Sequence, residues 1–131
     1  MKILIVDDDF ISRELLQEIL KRYGSTHIAV NGMEAVAAVR AAMASGEPYN
    51  LICMDFMMPE MDGQHAVQQI RALEEAEGII SSNRAKIIMT TVLDAPKNDI
   101  ASFKSLCDAY VVKPIYSVRL LDELRKLKLI K

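Results

Sequence analysis

The chain has 131 residues, of which 51% are apolar, and a formal net charge of −2. This length suits one compact domain over residues 1–131 with its own hydrophobic core. The slightly negative charge argues against a protein that binds nucleic acid over its whole surface. The first apolar run is too short for a signal peptide or a membrane span, so we expect a cytoplasmic protein.

The first half of the chain alternates short apolar runs with amphipathic stretches. Residues 3–6 are rich in β-branched side chains and predict a strand that is buried on both faces. Apolar residues at helical spacing follow over 11–20, and we expect Gly24 to end that helix as a left-handed cap. A weaker strand is predicted at residues 27–30, followed by a helix that ends near Gly46.

The second half repeats this alternation. Further strands are predicted at residues 51–54, 86–89 and 110–112. Further helices are predicted around residues 67–73, 96–107 and 120–127, and the polar stretch 74–84 is expected to form a helix end followed by a longish surface loop. The whole pattern therefore consists of strand–helix units in strict alternation.

Strict alternation predicts a parallel sheet with helices on both of its faces. At this length the expected fold is α/β, a (βα)5 flavodoxin-like three-layer sandwich with a five-stranded parallel sheet in the order 2-1-3-4-5. In such sheets the functional site lies beyond the carboxyl ends of the strands, near the switch in strand order.

Polar residues follow four of the predicted strands. They are Asp7, Asp8 and Asp9 after the first strand, Asp55 after the third, Thr90 and Thr91 after the fourth, and Lys113 after the fifth. Because the first and third strands are neighbours in the expected order, Asp7, Asp8 and Asp55 should converge. Clustered carboxylates repel one another unless a cation compensates them. The sequence offers two remedies, the ammonium group of Lys113 and a hard divalent cation such as Mg²⁺.

The same residues suit the chemistry of phosphoryl transfer. A carboxylate can attack phosphorus and form an aspartyl phosphate. Lys113 and a divalent cation would neutralise charge on the transferred oxygens, and the hydroxyl of Thr91 would hydrogen-bond one of them. Two other acidic residues have simpler interpretations. Asp9 is expected to cap the first helix, and Asp62 is expected to be a turn residue.

These motifs resemble the receiver domains of two-component response regulators over essentially the whole chain. The fragments that carry the resemblance are ILIVDDD at residues 3–9, LICMDFMMPEMDG at 51–63, KIIMTT at 86–91 and YVVKP at 110–114. The resemblance implies that Asp55 is the phosphoacceptor, that Lys113 binds the phosphoryl group, and that Thr91 and Tyr110 form the switch. It also implies that Mg²⁺ or Mn²⁺ is bound by a set of four ligands. This set comprises Asp7, Asp8, Asp55 and the backbone carbonyl of Met57.

The resemblance further implies a phosphorylation-activated switch of a phosphorelay. A sensor histidine kinase or a histidine phosphotransfer protein would supply the phosphoryl group. The surface of the fourth predicted helix, the fifth strand and the last helix would then signal to a downstream protein target. No direct contact with nucleic acid or membrane is implied, and a homodimer stays open. We expect no enzyme activity beyond the domain's own phosphorylation and dephosphorylation.

The chain departs from the family pattern near the expected site. Val92 follows Thr91 where the family usually has a small residue. By the same resemblance, Met57 and Leu93 flank the path of the water that hydrolyses the aspartyl phosphate. Neither side chain orients water well, so we expect a long-lived phosphorylated state.

Three alternatives compete with a working receiver. Asp7-x-Asp9 after an apolar strand also resembles the nucleophile motif of haloacid-dehalogenase-like phosphatases. A flavodoxin-like carrier of flavin mononucleotide has the same expected fold, although the three consecutive aspartates would repel the flavin phosphate. The third alternative is a receiver that only binds partners and is never phosphorylated.

Overall fold

The computed structural model of the chain describes residues 1–58, 61–80, 82–92 and 106–131. Its strands are β1 (Lys2–Val6), β2 (Ser25–Ala29), β3 (Leu51–Asp55), β4 (Lys86–Thr91) and β5 (Ala109–Val112). Its helices are α1 (Phe10–Leu20), α2 (Gly32–Ala44), α3 (Gly63–Ala76) and α4 (Ser117–Lys126). The helix predicted over 96–107 falls largely outside the described residues. Among the helices that are described, none is both long enough and apolar enough to cross a membrane.

The five strands form one parallel sheet in the order β2-β1-β3-β4-β5. This confirms the predicted α/β fold and its strand order. The sequence of β3, LICMD, is buried throughout, as a central strand that is covered on both faces requires. The register places Asp55 of β3 beside Thr90 of β4, and Thr90 beside Val111 of β5.

Side chains alternate between the two faces of the sheet. On one face Ile5, Cys53, Ile88 and Val111 pack against the apolar stripes of α1 and α4. We call this the α1/α4 face. On the other face the intervening residues of the strands, such as Met54 and Met89, pack against α2 and α3, and we call it the α2/α3 face.

One predicted loop feature is wrong in an informative way. Gly24 does not cap α1 in a left-handed conformation, because the helix ends with Lys21 in the right-handed region. The glycine is needed instead because a β-carbon there would collide with the backbone carbonyl of Met1. The polar stretch 74–84 begins as the end of helix α3, which runs to Ala76, as predicted, although Glu74 within it is buried.

Candidate functional site

Three carboxylates meet at the carboxyl end of the sheet, as the sequence predicts. Asp7 follows β1, Asp8 follows it, and Asp55 ends β3. Each offers an oxygen that lies within 4.8 Å of the others. Asp7 is fully buried and Asp55 is 5% exposed, whereas Asp8 faces solvent. We call these three residues the acidic cluster. Two of its carboxylates are therefore buried, and the third is accessible from solvent.

Lys113 supplies the positive charge that lies within this cluster. Its Nζ donates a hydrogen bond to Oδ2 of Asp7 at 2.9 Å and lies 3.4 Å from Oδ1 of Asp55. Lys113 follows β5, at the far side of β4 from β3, so its side chain spans the end of β4 to reach both carboxylates. One ammonium group therefore faces three carboxylates.

The electrostatics of the cluster follow from this imbalance. Burial and the charge of Asp7 raise the pKa of Asp55 to about 7, against the lowering effect of Lys113 and of a hydrogen bond from the backbone amide of Met57. Burial by itself would lower the pKa of Lys113, but the hydrogen bond to Asp7 and the charge of Asp55 outweigh it and raise that pKa. The ammonium is charged at neutral pH, while Asp55 carries unrelieved repulsion.

Local structure holds the acidic residues in place. Oδ1 of Asp7 accepts a hydrogen bond from the backbone N–H of Asp9 at 2.9 Å. Asp9 itself caps α1, since its side chain accepts from the backbone N–H of Ser12 at 3.0 Å, and the predicted capping role is confirmed. Arg13 of α1 donates to the backbone carbonyl of Asp7 at 3.0 Å. The start of α1 thus anchors the loop that carries the aspartates.

Helix α3 is anchored beside Asp55 in a similar way. Asp62, predicted as a simple turn residue, is the N-cap of α3, and its side chain accepts from the backbone N–H of His65 at 3.0 Å. Gly63 begins the helix directly against β3, where a β-carbon would collide with the backbone carbonyl of Asp55. The sequence indicated a break at Gly63, but only the structure gives the reason for a glycine there.

The two predicted switch residues lie on the α2/α3 face. Thr91 is 4% exposed, and its hydroxyl donates to the carbonyl of Val92 at 3.3 Å. Tyr110 is half-buried against the α2/α3 core, and burial together with Cys107 raises the pKa of its hydroxyl to about 12. Alternation along β4 and β5 places these two side chains on the same face of adjacent strands. Their roles remain predictions.

The donor set fits a hard divalent cation. Three carboxylates within one coordination sphere provide oxygen ligands, and the exposed side at Asp8 leaves room for further oxygens. A single ammonium does not balance their charge. The backbone of Met57, the predicted carbonyl ligand, adjoins the cluster because its amide hydrogen-bonds Asp55.

Comparison with known proteins identifies the class of this site. Residues 3–125 match the response regulator receiver domain family. The chain belongs to this family. It is 30% identical over 126 residues to hybrid signal transduction histidine kinase L of Dictyostelium discoideum, covering 95% of this chain and 7% of that protein. The chain therefore corresponds to a small part of that relative.

Two solved structures with the same fold are informative about the site. One is the receiver domain of the histidine kinase CKI1 from Arabidopsis thaliana complexed with Mg²⁺, with a TM-score of 0.80, 29% identity, and coverage of 96% of this chain and 90% of that one. The other is the receiver domain of Ssk1 from Saccharomyces cerevisiae in a co-crystal with the histidine phosphotransfer protein Ypd1. Its TM-score is 0.78 at 27% identity, and 96% of this chain and 87% of that one are covered.

Membership of the family establishes the general function of the domain. This chain is a receiver domain of a two-component or phosphorelay system, and its general function is that of a phosphorylation switch. The phosphatase and flavin-carrier alternatives are thereby replaced by the receiver interpretation. Whether Asp55 itself is phosphorylated is a separate question that the geometry of the acidic cluster addresses.

Thr90 is a residue of the site region to which the sequence assigned no role. It lies beside Asp55 in the sheet, and its hydroxyl is buried without a hydrogen-bond partner among the described residues. The only sequence signal was a second threonine, next to Thr91, directly after the predicted fourth strand, and threonine is also an ordinary β-branched strand residue.

Proposed function

We propose that Asp55 accepts the phosphoryl group in a reaction that requires a divalent cation. The observation that carries this proposal is the position of its carboxylate, buried, within 4.8 Å of Asp7 and Asp8 and 3.4 Å from Nζ of Lys113. Asp7 has the same neighbours, but its two oxygens already accept hydrogen bonds from the amide of Asp9 and from Lys113, and Asp8 has no ion pair with Lys113 among the described residues. Asp7 is fully buried beneath them, and Asp8 is exposed.

The proposed step is a displacement at phosphorus. A carboxylate oxygen of Asp55 attacks the phosphorus of a phosphohistidine, a phosphorus–oxygen bond forms, and the phosphorus–nitrogen bond breaks. The electron pair of that bond returns to the imidazole nitrogen of the donor. The ammonium of Lys113 stabilises the negative charge that spreads over the transferred oxygens.

A divalent cation is the natural complement to this chain's residues. Asp7, Asp8, Asp55 and the backbone carbonyl of Met57 would hold it, and Mg²⁺ or Mn²⁺ suits these oxygen donors. When bound, such a cation neutralises charge on the phosphoryl oxygens and aligns them with the acceptor. The CKI1 receiver domain, which shares the fold, is complexed with Mg²⁺.

The donor is proposed to be a sensor histidine kinase or a histidine phosphotransfer protein. The Ssk1 receiver, which has the same fold, is bound to such a phosphotransfer protein in its co-crystal. In this proposal the chain is not an enzyme toward other molecules, because Asp55 is both the nucleophile and the modified residue. It passes the signal to a downstream protein by changing its surface.

The proposed surface change begins at Thr91. A phosphoryl group on Asp55 adds about −1.5 to −2 charges and three strong acceptors. Thr91 is the last residue of β4 and lies on the face opposite to Asp55, so its hydroxyl, which now donates to Val92 at 3.3 Å, would turn around the end of the strand to a phosphoryl oxygen. Tyr110 would move into the space that the side chain of Thr91 leaves. This movement would change the surface formed by β5, α4 and the helix predicted around residues 96–107. Only the difference in contacts between the two states drives this shift.

A phosphorylation assay tests the acceptor. The full chain is incubated with acetyl phosphate and Mg²⁺, and its intact mass is measured. We expect the gain of one phosphoryl group, its loss in Asp55→Asn, and its loss when the metal is chelated. Asp62→Asn is the matched control, because it changes a nearby carboxylate whose capping role asparagine can also fill.

The outcomes of this assay separate the alternatives. Labelling of Asp55→Asn at the wild-type level would refute the assignment, and such labelling together with loss of label in Asp7→Asn would indicate a nucleophile on the first strand. An unlabelled wild-type chain would support a receiver that only binds partners.

A second experiment separates phosphorylation from switching. Thr91→Ala and Tyr110→Ala are expected to accept the phosphoryl group but to lose most of the response of β5 and α4. That response is measured as amide chemical-shift changes in NMR spectra with and without phosphodonor. A full response in Thr91→Ala would show that the switch runs by another route.

A further inference from the structure

The hydroxyl of Thr90 is a buried polar group near the carboxyl end of β4. Thr90 is 1% exposed, and Oγ1 has no hydrogen-bond partner among the described residues. Leaving a hydroxyl buried and unpaired costs about 1–3 kcal/mol relative to a paired one. Valine has nearly the same shape and would avoid that cost. A threonine in this place is therefore explained best by a partner that arrives in another state of the domain.

Register and alternation place Thr90 beside the acidic cluster. It is the direct neighbour of Asp55 across the β3–β4 ladder, and its backbone carbonyl accepts from the N–H of Phe56 at 2.9 Å. Thr90 shares the α1/α4 face with Ile88, two residues earlier. By the same alternation Asp55 follows Cys53 onto this face, and Lys113 follows Val111. Thr91 points to the opposite face.

Lys113 can donate one more hydrogen bond than the carboxylates around it accept. An ammonium has three hydrogens to donate, and the carboxylates of Asp7 at 2.9 Å and Asp55 at 3.4 Å take two of them. Lys113 comes from β5, so its side chain spans the end of β4, the strand that carries Thr90, to reach Asp7 beyond β3.

A phosphoryl group on Asp55 changes where the ammonium is held. New negative charge at Asp55 attracts Nζ away from Asp7, and this displacement runs from β1 back toward β4. The ammonium then loses one acceptor at the moment when it approaches the unpaired hydroxyl oxygen. That oxygen has two lone pairs with which to accept.

We propose that Thr90 is a positioning residue for Lys113, whose hydroxyl oxygen accepts a hydrogen bond from Nζ in the phosphorylated state. Thr90 does not contact the transferred phosphorus in this scheme. It completes the contacts of the ammonium and holds it against the phosphoryl oxygens. The inference rests on the proposed function, in which Asp55 carries the phosphoryl group.

Thr90→Val tests this role, with Thr90→Ser as the matched control that keeps the hydroxyl. The probe is beryllofluoride with Mg²⁺, a stable mimic of the phosphoryl group, and its affinity is measured by titration. We expect Thr90→Val to bind it about fivefold to tenfold more weakly, which corresponds to the net contribution of one typical hydrogen bond. Thr90→Ser should bind it within twofold of wild type.

Thermal unfolding without beryllofluoride distinguishes positioning from a merely structural role. Valine removes an unpaired hydroxyl, so unliganded Thr90→Val should melt no lower than wild type. A lysine-selective NMR spectrum gives a direct readout. In the beryllofluoride complex, the ammonium hydrogens of Lys113 should exchange with water more slowly in wild type and in Thr90→Ser than in Thr90→Val.

Three results would overturn the inference. They are equal beryllofluoride affinities in wild type and Thr90→Val, equal ammonium exchange in the two complexes, or failure of serine to restore affinity. Failure of the proposed function looks different. In that case wild type would not bind beryllofluoride, or Asp55→Asn would bind it as well as wild type does, and the role of Thr90 would be refuted with it.

Discussion

The two ends of the sheet solve the problem of buried charge in opposite ways. At the amino end, the buried residues Arg71 and Glu74 and the partly buried Asp108 form a group that we call the amino-end cluster. The guanidinium of Arg71 bonds Glu74 at 2.8 Å and Asp108 at 3.0 Å, and it also donates to the carbonyls of Leu106 and Ala85. At the carboxyl end, the acidic cluster sets three carboxylates against one ammonium.

The two clusters also differ in how fully their polar atoms are hydrogen-bonded. In the amino-end cluster the second oxygen of Glu74 accepts from the amide of Ala85 at 2.7 Å, and Asp108 accepts from the amide of Ile87 at 2.8 Å. Such a group ties α3 to β4 and to the start of β5. The acidic cluster keeps repulsion that a cation and a phosphoryl group can relieve. The amino-end cluster therefore holds elements of the fold together, whereas the acidic cluster favours the binding of a cation and a phosphoryl group because binding relieves its repulsion.

The largest effect is expected from a substitution that breaks the amino-end cluster. Arg71→Leu removes the main cation. It leaves the buried Glu74 without an ion-pair partner among the described residues and Asp108 with only Arg84 at 3.9 Å, and breaking a buried pair in this way costs about 3–5 kcal/mol in comparable cases. We expect a loss of this size in the free energy of unfolding, measured by urea denaturation. Arg84→Leu is the control, since Arg84 is partly exposed and lies 3.9 Å from Asp108, so its loss should cost less than about 1 kcal/mol. A stable Arg71→Leu variant would contradict the contrast between the two ends.

In the acidic cluster, by contrast, removing a charge is expected to raise the free energy of unfolding. In the folded chain Asp55 has a pKa of about 7, above its ordinary value of 3.8. The folded state therefore holds this proton over a range in which the unfolded state has released it, and stability falls as pH rises from about 4 to about 7. Asp55→Asn removes that loss. With a chelator present at pH 8, we expect the variant to be more stable than wild type by about 1–3 kcal/mol.

Urea denaturation of both chains at pH 5 and pH 8 checks this prediction. The advantage of Asp55→Asn over wild type should be larger at pH 8, and Asp62→Asn serves as a control at an exposed helix cap. An advantage that does not change with pH would show that the repulsion at Asp55 is relieved by other means.

The contrast also explains what the sequence could and could not reveal. Apolar periodicity predicted the strands and their order, and the rule for the carboxyl ends of parallel strands brought Asp7, Asp8, Asp55 and Lys113 together. These inferences succeeded because they depend on local pattern and on topology alone.

The amino-end cluster was invisible for the converse reason. Glu74 begins a polar stretch and Arg71 lies three residues before it, a pattern typical of an exposed helix face. Their burial depends on Asp108, which is distant in sequence and comes close only through the order of β4 and β5. The unpaired hydroxyl of Thr90 was equally hidden, because a threonine in a strand gives no sign of whether its oxygen has a partner.

The smallest expected effect concerns how long the acidic cluster keeps its phosphoryl group. Met57 lies two residues after Asp55 and is 58% exposed, and the resemblance to receiver domains implies that it flanks the path of water to the site. A thioether accepts hydrogen bonds only weakly and does not orient water for attack on phosphorus. The second flanking residue predicted from the sequence, Leu93, lies outside the described residues. Slow loss of the phosphoryl group would suit slow regulation better than rapid motility control.

Met57→Asn should accelerate dephosphorylation about threefold, or roughly 0.6 kcal/mol of barrier, because an amide can orient water while the backbone carbonyl proposed to bind the cation is retained. The measurement is the loss of phosphate from purified phosphorylated chain in a single turnover, without any phosphatase. Met57→Leu is the matched control, and it should decay at the wild-type rate because leucine is also apolar and of similar volume. If Met57→Asn decays no faster than Met57→Leu, water is positioned by other residues, and the lifetime of the signal does not depend on this side chain.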